Sequence, residues 1–160
     1  MIKAPQTDAV TDQTMENLRI RKIEMGDAEA IRRIQGEITK SPVKIDFGRI
    51  IRDQEQRGED ASFVAEIDGK IVGYMISYTV NAGFGLDKSA WIATLGVAPK
   101  FMGQGIGRQL AEAVFQAYRR MGVRHILTSV RWDSVDLLSF FKTLGFDRSE
   151  FINLSKEIGP

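Results

Sequence analysis

Apolar and polar residues alternate along Leu18-Arg19-Ile20-Arg21-Lys22-Ile23, the pattern of a half-buried strand. The period then changes. Asp27 precedes Ala28, Ile31 and Ile34, and Asp46 precedes Phe47, Ile50 and Ile51, so each aspartate reads as the N-cap of an amphipathic helix, the second ending near Gly58. Phe63–Ile67 and Ile71–Tyr78 flank Asp68-Gly69, the dipeptide favoured by tight primed turns, which predicts a hairpin. Residues 81–88 read as a loop and Trp91–Val97 as the next strand. Ile106, Leu110, Ala113, Val114, Ala117, Tyr118 and Met121 fall on one stripe of the longest helix, which Gly122 ends. His125–Val130 then reads as a strand, 134–143 as a helix and Phe151–Ile158 as a final strand. The crossover 91–97, 104–121, 125–130 sets its two strands parallel in one sheet, because it is long and contains a helix. Residues 1–17 are polar and without period and read as a flexible tail, leaving 18–160 as one α/β (α+β) domain.

Composition narrows the function classes. A chain of 160 residues with 43% hydrophobic content can bury the core of one domain. A net charge of +1 gives no broadly basic face, so nucleic-acid binding is not expected. Without cysteine there can be no disulfide, thiolate nucleophile or cysteine-ligated zinc, and no His/Asp/Glu cluster has metal-ligand spacing, so no metal is predicted. No apolar run has the length of a secretion signal or a membrane span, so the chain is expected in the cytoplasm and off the membrane. His125, the one histidine, opens its strand just after a helix end and reads as structural. Charge is uneven all the same. Between Val97 and Arg131 six basic residues (Lys100, Arg108, Arg119, Arg120, Arg124, Arg131) face one acid, Glu112.

That basic stretch contains the most informative segment, Leu95-Gly-Val-Ala-Pro-Lys-Phe-Met-Gly-Gln-Gly-Ile-Gly-Arg108. A strand runs through a proline turn into three alternate glycines that open a helix. Gly103, Gly105 and Gly107 carry no side chain to hold an anion away, so backbone N–H groups and the helix's first unpaired donors can meet one diphosphate. Arg108, in the first turn, is a candidate phosphate contact. A P-loop would need Gly-Lys-Ser/Thr, and the dinucleotide fingerprint would need glycine where Arg108 stands.

Val97, Pro99, Met102, Gly103, Gly105, Ile106 and Gly107 resemble the signature Val-x-Pro-x-x-Arg/Gln-Gly-x-Gly-Ile/Leu-Gly of the GCN5-related N-acetyltransferases, with Met102 in place of the usual Arg or Gln. Phe140-Phe141-Lys142-Thr143-Leu144-Gly145-Phe146 is similar to that family's C-terminal Phe-Tyr-x-x-x-Gly-Phe, and the likeness runs from about Leu18 to Ile158. The resemblance implies a mixed, mostly antiparallel sheet of six to seven strands with about four helices. Its splayed parallel pair would form an acetyl-CoA cleft. Leu95, Gly96 and Val97 would then offer backbone groups to the pantetheine arm, with Met102, Gly103, Gln104, Gly105, Ile106, Gly107 and Arg108 around the diphosphate and Ser134 and Phe141 further along the coenzyme. Gly96 also reads as a bulge or a close backbone approach.

The implied reaction is direct acetyl transfer from acetyl-CoA to a primary amine of a small molecule or a peptide or protein. A lysine-like amine with a pKa of about 10.4 is neutral in roughly one molecule in 2,500 at pH 7, so a proton must be removed. The family's strand glutamate has no counterpart in Trp91–Leu95, and its proton-donating tyrosine is Phe141 here. Tyr78, Thr94, Asp133 and Ser134 are the substitute candidates, the last two also reading as N-capping residues. An acceptor already partly neutral, such as a peptide N-terminus, fits these absences. The alternative is a catalytically degenerate acyl-CoA sensor or interaction module. Self-association as a homodimer is left open.

Overall fold

The computed structural model describes residues 15–81, 85 and 87–160, so most of the tail read over 1–17 and part of the loop read over 81–88 lie outside the described residues. Met15, at the end of that tail, packs against the core. Five strands, β1 (Leu18–Lys22), β2 (Phe63–Ile67), β3 (Lys70–Val80), β4 (Ser89–Val97) and β5 (Ile126–Thr128), lie in the sheet in their order along the chain. The first four pair antiparallel, and β5 joins β4 in parallel. Four helices, α1 (Ala28–Thr39), α2 (Phe47–Arg57), α3 (Ile106–Arg120) and α4 (Val135–Thr143), cover the sheet. Ile31, Ile34, Phe47 and Ile51 of α1 and α2 pack with Tyr74 and Ile76 on one face; Leu110, Val114, Tyr118 and Phe141 of α3 and α4 pack with Met75 and Ile92 on the other.

Local chemistry accounts for most of these elements. Asp68 (φ 49) and Gly69 (φ 77) both adopt left-handed backbone, the conformation a two-residue primed turn requires. Asp46 caps α2 as read, accepting from the Arg49 amide at 3.0 Å. Asp27 does not cap α1. Its carboxylate instead takes both terminal nitrogens of Arg21 at 2.8 and 2.7 Å and the Glu24 amide at 2.8 Å, while Arg21 Nε reaches Glu66 at 2.9 Å. The buried charge pins β1 and β2 to the chain entering α1. Those contacts raise the Arg21 pKa above its ordinary value, the Asp27 bond outweighing the cost of burial.

One sequence-based element is absent. Residues 147–160 form no strand, so the sheet has five strands where six to seven were expected. Alternation shows only that one face of an extended segment would suit burial; a strand also needs a partner edge. Here Ile152, Leu154 and Ile158 stand 82%, 88% and 89% exposed.

Candidate functional site

The parallel ladder is three pairs long: Ala90 with Ile126, Trp91 with Leu127, and Ile92 with Thr128. Thr128 Oγ1 donates to the Ile92 carbonyl at 2.9 Å, closing the ladder. The next residue, Ala93, is the extra residue of a bulge, because Ile76 faces Thr94 while Ser77 faces Ile92. Thr94–Val97 remain paired with Gly73–Ile76 on β3, and among the described residues no strand pairs with their other edge. A bulge re-aims a strand. Here it falls where the two parallel strands part, leaving the outer edge of Leu95–Val97 without a strand partner among the described residues.

Gly96 is required for packing. A Cβ there would lie 2.7 Å from Ile38 Cδ1 and 2.9 Å from Tyr74 Cε1. Tyr74 is fully buried, and its hydroxyl donates to Gln35 of α1. Burial pushes its pKa above the ordinary tyrosine value, offset in part by Thr94. Gln35 and Ile38 were missed in the sequence. The available signal was a polar residue, Gln35, on the stripe of Ile31, Ile34 and Ile38.

Beyond β4 the Ala98 amide still donates to the Val72 carbonyl at 2.8 Å, and a 3-10 turn over Pro99–Phe101 leads into the glycine loop. Gly103 (φ 77) and Gly105 (φ 82) are left-handed, and a Cβ on either would meet nothing within 4 Å; conformation, not crowding, demands glycine at both. Gly105 is the N-cap of α3, so the helix starts at Ile106, two residues later than read. No side chain caps it and no acid sits in its first turn, leaving the amides and the positive end of the helix dipole open. Gln104 adds a buried side-chain oxygen with no partner. Gly107 does a different job: its Cβ would stand 3.0 Å from Phe140 Cε2, so its absence lets α4 pack on the first turn of α3. Arg108 donates to the Thr143 carbonyl at 3.1 Å, tying the same two helices together. Met102 is 51% exposed, whereas Ile106 is buried in the core.

The remaining candidates are spread around this core of the site. Ser134 occupies the N-cap position of α4, but its hydroxyl makes no capping bond. Arg131 grips both carboxylate oxygens of Asp133 at 2.9 Å and holds its pKa below the ordinary aspartate range, which weakens it as a proton acceptor. Tyr78 faces Trp91, on the other side of the bulge from Leu95–Val97. Phe141 is buried, with ring centroids 5.4 Å from Phe140 and 5.0 Å from Phe146. His125 accepts the Ala90 amide through its carbonyl, at the end of the ladder away from the split. Among the described residues no group of three His, Asp or Glu side chains could hold a metal ion, and no helix is long and apolar enough to cross a membrane.

A split parallel pair running directly into a left-handed glycine loop and an uncapped helix defines an α/β domain shaped for a long ligand with a phosphate group. Comparison with known proteins makes the assignment specific. The chain belongs to the acetyltransferase (GNAT) family, whose model matches residues 28–146. It is 30% identical over 119 residues to a mycothiol acetyltransferase of Amycolatopsis mediterranei, covering 72% of this chain and 38% of that protein. It is 29% identical over 96 residues to an N-alpha-acetyltransferase of Sulfurisphaera tokodaii, covering 55% of this chain and 57% of that one. The match thus spans only about two fifths to three fifths of these relatives. Among solved structures, an aminoglycoside N-acetyltransferase in complex with CoA superposes with a TM-score of 0.75 at 20% identity, covering 88% of this chain and 94% of that one.

Proposed function

We propose that residues 18–160 form a cytoplasmic N-acetyltransferase domain that moves an acetyl group from acetyl-CoA to a primary amine. One observation carries the reading: the free edge of Leu95–Val97 leads without interruption into the Gly103–Gly105 loop and the uncapped first turn of α3. These fit a pantetheine arm followed by a diphosphate. Gly103, Gly105 and the amides of Ile106–Arg108 take the phosphates, with the buried Gln104 amide beside them, and the β4 edge takes the arm through backbone hydrogen bonds. Acetyl-CoA supplies an activated thioester. The acceptor nitrogen attacks its carbonyl carbon, the C–S bond breaks, and the nitrogen's proton passes to water while the thiolate leaves.

In this reading β4 places the carbonyl and its amides polarise it, so orientation and electrostatic stabilisation supply most of the rate. Thr94, at the split, and Ser134, with a hydroxyl free of capping duty, are the side chains positioned to hold a water or the acceptor. Asp133 braces the turn into α4 through Arg131. Phe141 forms apolar wall, and the thiolate, with a pKa near 8.5 like that of cysteine, departs without a dedicated acid. An acceptor such as a peptide α-amino group suits a site with no carboxylate on β4.

Calorimetric titration with acetyl-CoA, against CoA and an adenine dinucleotide, tests the binding site. Selective binding of the two CoA species supports it, and no binding removes it. A second reading, an acyl-CoA sensor, draws on the lack of an acid on β4 and a proton donor at Phe141. Thiol release with a panel of amines and peptides separates the two, because a sensor binds without turnover.

A further inference from the structure

The direction of β4 fixes where the reaction falls. Val97 runs on into the phosphate loop, so a coenzyme laid along the Leu95–Val97 edge carries its thioester at the opposite end, beside Thr94, the first residue past the Ala93 bulge. Thr94 lies opposite Ile76 and Gly96 opposite Tyr74, and residues opposite one another share a face of the sheet. Ile76 and Tyr74 pack with α1 and α2, so Thr94 is on the α1 side, away from α3. Three polar side chains gather there. The Tyr74 ring stands over Gly96 and its hydroxyl donates to Gln35 Oε1, with Thr94 as the diagonal neighbour of Tyr74 across the strands. Burial raises the Tyr74 pKa and Thr94 partly lowers it, the effect of a hydroxyl donating to the phenol oxygen. Tyr74 has no exposed surface, whereas Gln35 and Thr94 are half-buried.

Hydrogen-bond direction decides what this cluster can do. Gln35 Oε1 only accepts, so it takes the single hydroxyl hydrogen of Tyr74. The phenol oxygen keeps its lone pairs, and toward Thr94 it can only accept. Thr94 therefore donates to Tyr74 and turns its own lone pairs to whatever stands at the thioester. A hydroxyl without such a partner is a rotor that offers hydrogen and lone pair alike. An amine feels the difference. A hydroxyl hydrogen aimed at its nitrogen would occupy the lone pair that must attack, whereas an oxygen lone pair takes one N–H and leaves the nitrogen lone pair free for the carbonyl carbon.

We propose that Gln35 and Tyr74 are positioning residues that fix the Thr94 hydroxyl as a hydrogen-bond acceptor for an N–H of the attacking amine. This role rests on the acetyltransferase reading and adds to it the group that orients the acceptor. Thr94 takes no proton. The N–C bond forms, the C–S bond breaks with its electron pair leaving on sulfur as the thiolate, and the nitrogen's proton goes to water. The orientation is worth one neutral hydrogen bond, about tenfold in rate.

Thiol release from acetyl-CoA, with trialanine or the fastest amine of the panel above as acceptor, tests this. Gln35→Leu removes the carbonyl and lets the Tyr74 hydroxyl donate to Thr94 instead, so kcat/KM for the amine falls about tenfold or more. Adding Tyr74→Phe withdraws the misdirected hydrogen and recovers about threefold or more of that loss. Thr94→Val, which removes the hydroxyl and keeps the branching, costs about tenfold alone and makes Gln35→Leu silent. Tyr74→Phe keeps the ring and its packing and gives an independent cycle: a loss of about threefold in the parent and none in the Thr94→Val background. Acetyl-CoA affinity by calorimetry and far-UV circular dichroism stay at the parent's values in every variant. A Gln35→Leu/Tyr74→Phe protein slower than Gln35→Leu, or losses that multiply with that of Thr94→Val, would overturn the role; residues that only packed the wall would give both. A parent that turns over no amine fails the acetyltransferase reading itself, an outcome distinct from an active parent whose variants show no coupling.

Discussion

Replacing Gly96 by alanine probes the wall between α1 and the split strand. Its φ is not in the left-handed region, so the backbone accepts alanine and the cost is steric. The new methyl would sit 2.7 Å from Ile38 Cδ1, 2.9 Å from Tyr74 Cε1 and 3.1 Å from Tyr74 Cζ. The first of these atoms ends a flexible, half-buried side chain and can swing aside. The tyrosine ring cannot: it has no exposed surface and its hydroxyl is held by Gln35. Overpacking of this kind costs about 1–3 kcal/mol. For a domain of this size that lowers Tm by about 2–12 °C. Urea unfolding followed by circular dichroism gives the free energy, and a cycle with Ile38→Val locates the strain. Valine lacks Cδ1, so although Ile38→Val alone costs about 0.5–1.5 kcal/mol, the double variant should be more stable than the sum of the singles by about 0.5 kcal/mol or more. A Gly96→Ala protein as stable as its parent would refute the close packing, and strict additivity would remove Ile38 from the clash.

Other perturbations separate fold from site. Gly105→Val forces a branched residue to φ 82, a strain of about 1–3 kcal/mol, and sets a side chain at the uncapped end of α3; calorimetry should show acetyl-CoA binding lost while circular dichroism keeps the fold. Asp27→Ala removes the buried partner of Arg21 and leaves it the partly exposed Glu66; it should cost about 3 kcal/mol, the lower end for breaking a buried pair, read by urea titration. Burial raises the pKa of both Tyr74 and Tyr118 above the ordinary value. The unfolded chain ionises them near pH 10, so their neutral-state stability is intact below about pH 10 and is lost as pH rises through the folded values. Unfolding free energies that stay level from about pH 9 to 11 would contradict this.

What the sequence revealed follows from how far each determinant reaches along the chain. The Asp68-Gly69 turn, the stripe of α3 and the left-handed glycines at 103 and 105 are set by neighbours a few residues away, and the local pattern displays them. Gly96 depends on Ile38 and Tyr74, distant in sequence and on different elements, so its glycine read as a ligand approach or a bulge. The bulge is at Ala93, a residue with no turn chemistry to announce it, and is visible only in the pairing of β3 with β4. Asp27 has the type and place of an N-cap; the stronger claim of Arg21 arrives from β1. Phe151–Ile158 has the alternation of a strand and pairs with no edge of the sheet. Periodicity reports a face, and partners decide an element.

The missing acid on β4 makes the acceptor's own pKa the variable that governs rate in the proposed reaction. No Asp or Glu lies between Ser89 and Val97, and the Asp133 carboxylate is held by Arg131. With no enzymic base to shift the balance, the reactive species is amine that has already lost its proton. An α-amino group with a pKa of about 7.7–8.0 is then roughly 200–400 times more abundant in neutral form at pH 7 than a lysine side chain near 10.4. kcat/KM should therefore rise tenfold per pH unit and level off at the pKa of the amine supplied. The plateau should move when the acceptor is changed from a peptide N-terminus to a lysine side chain. A group on the protein acting as base would instead level every profile at one pH, its own, whatever the acceptor. Profiles that share a plateau across acceptors of different pKa would show that such a base exists and that the β4 edge does not work alone.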